Sequence, residues 1–99
     1  MNTSYSRTDF LDLANEIISH DRNSQYGEPE DAFKVIADYW SVYLKNKYEI
    51  EISSADVAVL MVLMKMARLT QNPFHKDSIV DGIGYLACYG EIVSDNLTS

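Results

Sequence analysis

Apolar residues recur at every third or fourth position along most of the chain, and the pattern predicts four helices. Phe10, Leu13, Ala14, Ile17 and Ile18 form one stripe behind a Ser-x-x-Asp start at Ser6 to Asp9, which gives a first helix over 6–20. Pro29 followed by Glu30 and Asp31 opens a second helix over 29–46, because proline fits a first turn and acids complement the helix dipole. Its apolar positions, Ala32, Phe33, Ile36, Tyr39, Trp40, Tyr43 and Leu44, predict an aromatic-rich buried face. Residues 47–52 alternate polar and apolar side chains but have no partner strand, so they read as an extended loop.

Ser53 to Asp56 repeats the capping pattern ahead of eight consecutive apolar residues, 57–64, in a third helix over 54–70. A helix apolar on every side belongs at the centre of the fold, with part of its surface covered by another subunit. Asn72-Pro73 breaks it, and a fourth helix over 76–93 presents Ile79, Ile83, Leu86, Ala87 and Val93 to the core. Gly82, Gly84 and Gly90 in that helix predict a close approach by a neighbouring helix or a ligand. Residues 94–99 read as a frayed tail. The expected architecture is one all-α domain over 1–99, an up-down four-helix bundle with the apolar third helix central.

Composition narrows the function classes. The chain has 99 residues, 46% of them apolar, with four glycines and two prolines, which fits one folded helical unit and not a linker or a turn-rich β fold. One cysteine, Cys88, leaves no disulfide framework and no multi-cysteine metal site, and it reads as a small core residue. The polar N-terminus and the shortness of the apolar run point to a cytoplasmic protein without a membrane partner. The formal charge of −7 is spread along the chain and argues against duplex nucleic acid as a direct ligand. No phosphate-binding glycine loop, zinc-protease motif or serine-hydrolase elbow is present.

The stretch richest in chemistry runs from Lys65-x-x-Arg68 through Asn72-Pro73-x-His75 to Asp77-Ser78-x-x-Asp81-x-x-x-Tyr85. Lys65 and Arg68 share a face of the third helix, and Asp77, Asp81 and Tyr85 share a face of the fourth. In an antiparallel hairpin turning near Pro73, Lys65 comes level with Asp81 and Arg68 with Asp77. Two readings follow. The four residues form an interhelical ion-pair ladder, or Asp77 and Asp81 hold Mg2+ while Lys65 and Arg68 take phosphate oxygens, with Asn72 and His75 facing the same ligand. In the loop before the second helix, Arg22 could bind phosphate and Tyr26 stack a base.

Arg22-x-x-x-Tyr26-Gly27-x-Pro29, Asp56-Val57-Ala58, Lys65-x-x-Arg68 and Asn72-Pro73-x-His75-x-Asp77-Ser78-x-x-Asp81-x-x-x-Tyr85 together resemble a group of small phage and prophage domains of unknown function. The resemblance spans roughly residues 20 to 92. The Lys-x-x-Arg and Asp-Ser-x-x-Asp elements are also similar to the nucleotide-modification-associated helical domain of phages and to the MazG-like all-α nucleoside triphosphate pyrophosphohydrolases. The MazG-like resemblance implies a Glu-Glu-x-x-Glu helix for magnesium. That motif is absent, and Glu28, Glu30 and Asp31 are its nearest substitutes.

The function expected on these grounds is a phage-encoded protein that binds a nucleotide or nucleotide-derived small molecule. It either sequesters the ligand from host defence or hydrolyses a phosphoanhydride with Mg2+. The ligand set is Arg22, Tyr26, Lys65, Arg68, Asn72, His75, Asp77 and Asp81, with the Arg22 loop beside the 72–75 turn in the same subunit or across a dimer interface, and the protein is expected to be a homo-oligomer. The alternative is an acidic inhibitor of a host defence or nucleic-acid-binding protein.

Overall fold

A computed structural model describes residues 4–21 and 28–99 and shows an all-α four-helix bundle. Helix α1 (Arg7–Glu16) begins at a completed capping box, in which the Asp9 amide donates to the Ser6 hydroxyl at 3.1 Å and the Ser6 amide donates to the Asp9 carboxylate at 2.9 Å. It continues into a π-helical turn, Ile17–Asp21, where the sequence predicts regular helix. The wider turn is tolerated where Ile17 and Ile18 pack against Val80, Gly84 and Tyr85.

Helix α2 (Pro29–Tyr48) outruns its predicted end by two residues and stops at Glu49, whose left-handed φ of 60° turns the chain. The extended segment that follows is tied back by Ser41: its hydroxyl accepts the Ile52 amide at 2.9 Å and donates to the Ile52 carbonyl at 3.3 Å. Helix α3 (Ser54–Gln71) opens with the second capping box, Ser53 with Asp56. Helix α4 (Lys76–Ile92) follows a short turn, and Ser94–Asn96 form a 3-10 turn where a frayed tail is expected.

Helices α3 and α4 pack most extensively, as an antiparallel hairpin at the centre of the molecule. Helix α1 lies along α4 and parallel to it: the Lys76 ammonium reaches the Tyr5 hydroxyl at 3.4 Å at one end, and Ile18 meets Gly84 further along. Helix α2 crosses the open end of the hairpin, from Pro29 beside Ala87, Cys88 and Glu91 to Ser41 beside Ile52. The buried centre is Phe33, Ala37, Val57, Ala58, Tyr85 and Cys88, with the Phe33 and Tyr85 rings 6.1 Å apart.

Two buried faces differ from those the pattern predicts. In α2 the core side is Pro29, Phe33 and Ala37, whereas Tyr39 and Tyr43 are exposed and Trp40 is only partly covered. The α2 C-terminal half extends past the hairpin, so among the described residues its aromatic stripe has no helix to meet. In α4 the core side is Ser78, Val80, Gly84, Tyr85 and Cys88, and Leu86 is exposed. Small side chains at 84 and 88 let α1 and α2 come close, and close approach outweighs apolar size in choosing the face.

Gly84 is the glycine that permits this approach, since a Cβ there would lie 3.1 Å from Ile18 Cγ2, while one at Gly90 would meet nothing within 4 Å. Gly90→Ala is therefore expected to raise stability by about 0.5–1 kcal/mol through helix propensity alone. Gly84→Ala should gain less or lose. Urea midpoints of the two variants, compared with the unmodified chain, check the order.

Candidate functional site

The turn between α3 and α4 is built by Asn72. Its side-chain oxygen accepts the Phe74 amide at 3.4 Å, and its backbone carbonyl accepts the His75 amide at 3.2 Å. Pro73 cannot continue the helix, and the side chains of Arg68, Gln71, Asn72 and His75 then line one open cleft of about 300 Å³. His75 is held in place, with Nδ1 2.7 Å from the hydroxyl of Ser78, itself fully buried one turn into α4. Nε2 is thereby left for another partner. Phe74, at the tip of the turn, is 90% exposed.

The predicted ladder is half formed. Lys65 Nζ lies 2.9 Å from Asp81 Oδ2, with the lysine side chain buried and the carboxylate partly open to solvent. Lys65 therefore belongs to the inner face of α3 and is committed to Asp81. Arg68 and Asp77, which the same register pairs, are both exposed and make no ion pair among the described residues. Arg68 lines the cleft beside Gln71, Asn72 and His75 instead. Among the described residues no three His, Cys, Asp or Glu side chains are grouped as a metal site.

Arg22 and Tyr26 lie outside the described residues. The residues that flank them, Ser19 and Glu28, line cavities with Ala87, Cys88, Glu91 and Ile92 at the C-terminal end of α4. The 72–75 turn is at the N-terminal end of that helix, about 25 Å away at 1.5 Å per residue. The parallel packing of α1 on α4 causes this separation. Within a single chain the described flanks of the Arg22 loop and the cleft thus lie at opposite ends of α4.

The other ion pairs are surface contacts on and beside α2. Lys34 bonds Asp38, and Lys45 Nζ meets Glu51 Oε1 at 2.5 Å. Lys45 holds the Glu51 carboxyl below its ordinary range, chiefly by the hydrogen bond, and Glu51 raises Lys45 in the same way. Whatever stability this exposed pair adds is present at neutral pH. It is lost as pH falls through the lowered Glu51 value and as pH rises through the raised Lys45 value.

A family model described as a domain of unknown function, DUF6378, matches residues 9–93. The chain belongs to this family. The DUF6378 match takes in all of α2, α3 and α4, α1 from its third residue onward, and the whole 65–81 stretch. The chain is 44% identical over 85 residues to the "Gene 55 protein" of Mycobacterium phage D29, covering 86% of this chain and 54% of that protein. It is 40% identical over 75 residues to the "Gene 55 protein" of Mycobacterium phage L5, covering 76% of this chain and 46% of that one. It thus spans about half the length of these relatives, and the domain is a small phage-associated helical one. No solved structure matches it. Among the described residues no helix is long and apolar enough to cross a membrane.

Proposed function

We propose that this DUF6378 domain binds a nucleotide or nucleotide-derived small molecule at the turn between α3 and α4, keeping it from a host defence protein that responds to it. The observation that carries the reading is the exposed Arg68, without an ion pair among the described residues and gathered with Gln71, Asn72 and His75 around one cleft. A planar guanidinium is a bidentate donor for phosphate oxygens. The amides and the free imidazole nitrogen supply donors and acceptors for a sugar or base edge. Phe74, which the sequence pattern did not single out, offers an exposed aromatic face on which a base can stack. The similarity to the nucleotide-modification-associated and MazG-like domains supports the same ligand class.

Binding has more support here than hydrolysis. The Lys65 ammonium already occupies Asp81 Oδ2 at 2.9 Å, so a Mg2+ ion at Asp77 and Asp81 would have to share that carboxylate with a buried cation. Lys65 and Asp81 act as the support beneath the cleft, and Arg68, Asn72 and His75 as its contacts.

Calorimetric titration with a panel of nucleoside mono-, di- and triphosphates, and with inorganic pyrophosphate, tests the reading. Arg68→Ala is expected to weaken binding of the best nucleotide by at least about tenfold, the scale of one lost charge-assisted contact. Phe74→Ala should weaken nucleotide binding and leave pyrophosphate unchanged. Intact ligand recovered after incubation with Mg2+ supports sequestration, whereas accumulating product supports hydrolysis. Wild-type affinity in both Arg68→Ala and His75→Ala overturns the site.

A further inference from the structure

Ser78 is 1% exposed, yet its hydroxyl does not bond a helix carbonyl one turn back, as the Thr70 hydroxyl does to Met66 at 3.2 Å. Its one side-chain partner among the described residues is His75 Nδ1, 2.7 Å away. A buried hydroxyl without an acceptor is strongly unfavourable, so the Ser78 proton goes to Nδ1. A neutral imidazole that accepts at Nδ1 carries its own proton on Nε2. Nε2 has no hydrogen-bond partner among the described residues, where no side-chain nitrogen or oxygen is both buried and unpartnered. This N–H is therefore open to solvent, on a residue that lines the cleft with Arg68, Gln71 and Asn72.

We infer, resting on the ligand reading above, that Ser78 is a positioning residue that fixes His75 as an Nε2–H donor, and that the ligand meets His75 with an acceptor oxygen. Ser78 is too deep to touch the ligand and acts only through the ring. The neighbouring groups agree with this polarity. Arg68 carries donors alone. The Asn72 carboxamide oxygen already accepts the Phe74 amide at 3.4 Å, which leaves its NH2 as the free end. Three of the four lining side chains thus offer donors, and one of the three is a cation. Such a set matches an oxygen-rich group, either a phosphate or the carbonyl and hydroxyl oxygens of a base or sugar. A base N–H finds no acceptor at His75. With alanine at position 78 the ring is free to turn and to carry its proton on either nitrogen, and an Nε2 lone pair repels the same oxygen.

Long-range proton–nitrogen correlation spectra at about pH 8, where an imidazole is neutral, read the tautomer without ligand, and His20 is the only other histidine of the chain. His75 is expected wholly as the Nε2–H form, and in Ser78→Ala as a mixture of the two forms. Titrations then use the best-bound nucleotide, its parent nucleoside and inorganic pyrophosphate. Ser78→Ala and His75→Ala should each weaken nucleotide binding about threefold to tenfold, the scale of one hydrogen bond. The double variant should bind no more weakly than His75→Ala, because both changes act through one ring. A His75→Ala loss shared by pyrophosphate supports a phosphate oxygen at His75, and a loss shared by the nucleoside alone supports a sugar or base oxygen. An Nδ1–H ring in the unmodified chain overturns the inference and leaves the ligand reading standing. So does His75→Ala with unchanged affinity for all three probes while Arg68→Ala binds weakly. A Ser78→Ala ring that stays wholly Nε2–H, or additive losses in the double variant, overturns the positioning role. Failure of the unmodified chain to bind any nucleotide or pyrophosphate removes the ligand reading and this inference together.

Discussion

Phe33→Ala is expected to cost about 4 kcal/mol, the scale of emptying a closely packed aromatic site. Phe33 is 1% exposed, sits in the cluster with Val57, Ala58 and Cys88, and meets the Tyr85 ring. It is the largest fully buried side chain and joins α2 to the hairpin, so nothing nearby can collapse into the space it leaves. For a domain of this size the loss corresponds to roughly 20 °C in Tm. Phe33→Leu, which keeps most of the volume, should cost about 1–1.5 kcal/mol. Urea or thermal unfolding separates the two. A loss below 1 kcal/mol for the alanine variant would show that α2 does not depend on this contact.

The buried ion pair should respond asymmetrically to loss of either partner. Asp81→Ala leaves the buried Lys65 ammonium without its partner and is expected to cost about 3 kcal/mol. Lys65→Met replaces the buried charge with a flexible apolar chain of similar length and leaves Asp81, partly open, to be solvated. Its cost should be below about 1 kcal/mol. The double variant Lys65→Met with Asp81→Ala should be close to Lys65→Met alone. Equal losses in the two single variants would sink this account of the pair. Arg68→Ala behaves differently: exposed and unpaired among the described residues, it should change ligand affinity and leave the unfolding midpoint nearly unmoved.

The sequence made the helices legible where local chemistry sets them. Ser6 to Asp9 and Ser53 to Asp56 each close a capping box, Pro29 opens α2, and Asn72-Pro73 ends α3. These signals act within a few residues and so survive any arrangement of the rest. The Lys65 to Asp81 pair was legible for a related reason, because a hairpin with a short turn leaves little freedom in its register. Phe74 was not legible. Its signal is exposure, and nothing in the pattern distinguishes an exposed phenylalanine from a buried one.

Local sequence therefore determined the four helices, the hairpin and one of the two ion pairs expected across it, since caps, proline and a short connection fix backbone geometry without reference to distant residues. Tertiary structure alone decided which faces are buried and which charges meet. Tyr39, Trp40 and Tyr43 have the spacing of a core face, but α2 runs past the hairpin and leaves them open. Arg68 and Asp77 have the spacing of a pair, but Asn72 shapes a turn in which both stay exposed and Arg68 lines the cleft. Periodicity states that a helix has an apolar side. Only the neighbours that pack against it, here α1 parallel to α4 and α2 across the hairpin, determine how much of that side is covered and at which end of α4 each loop begins.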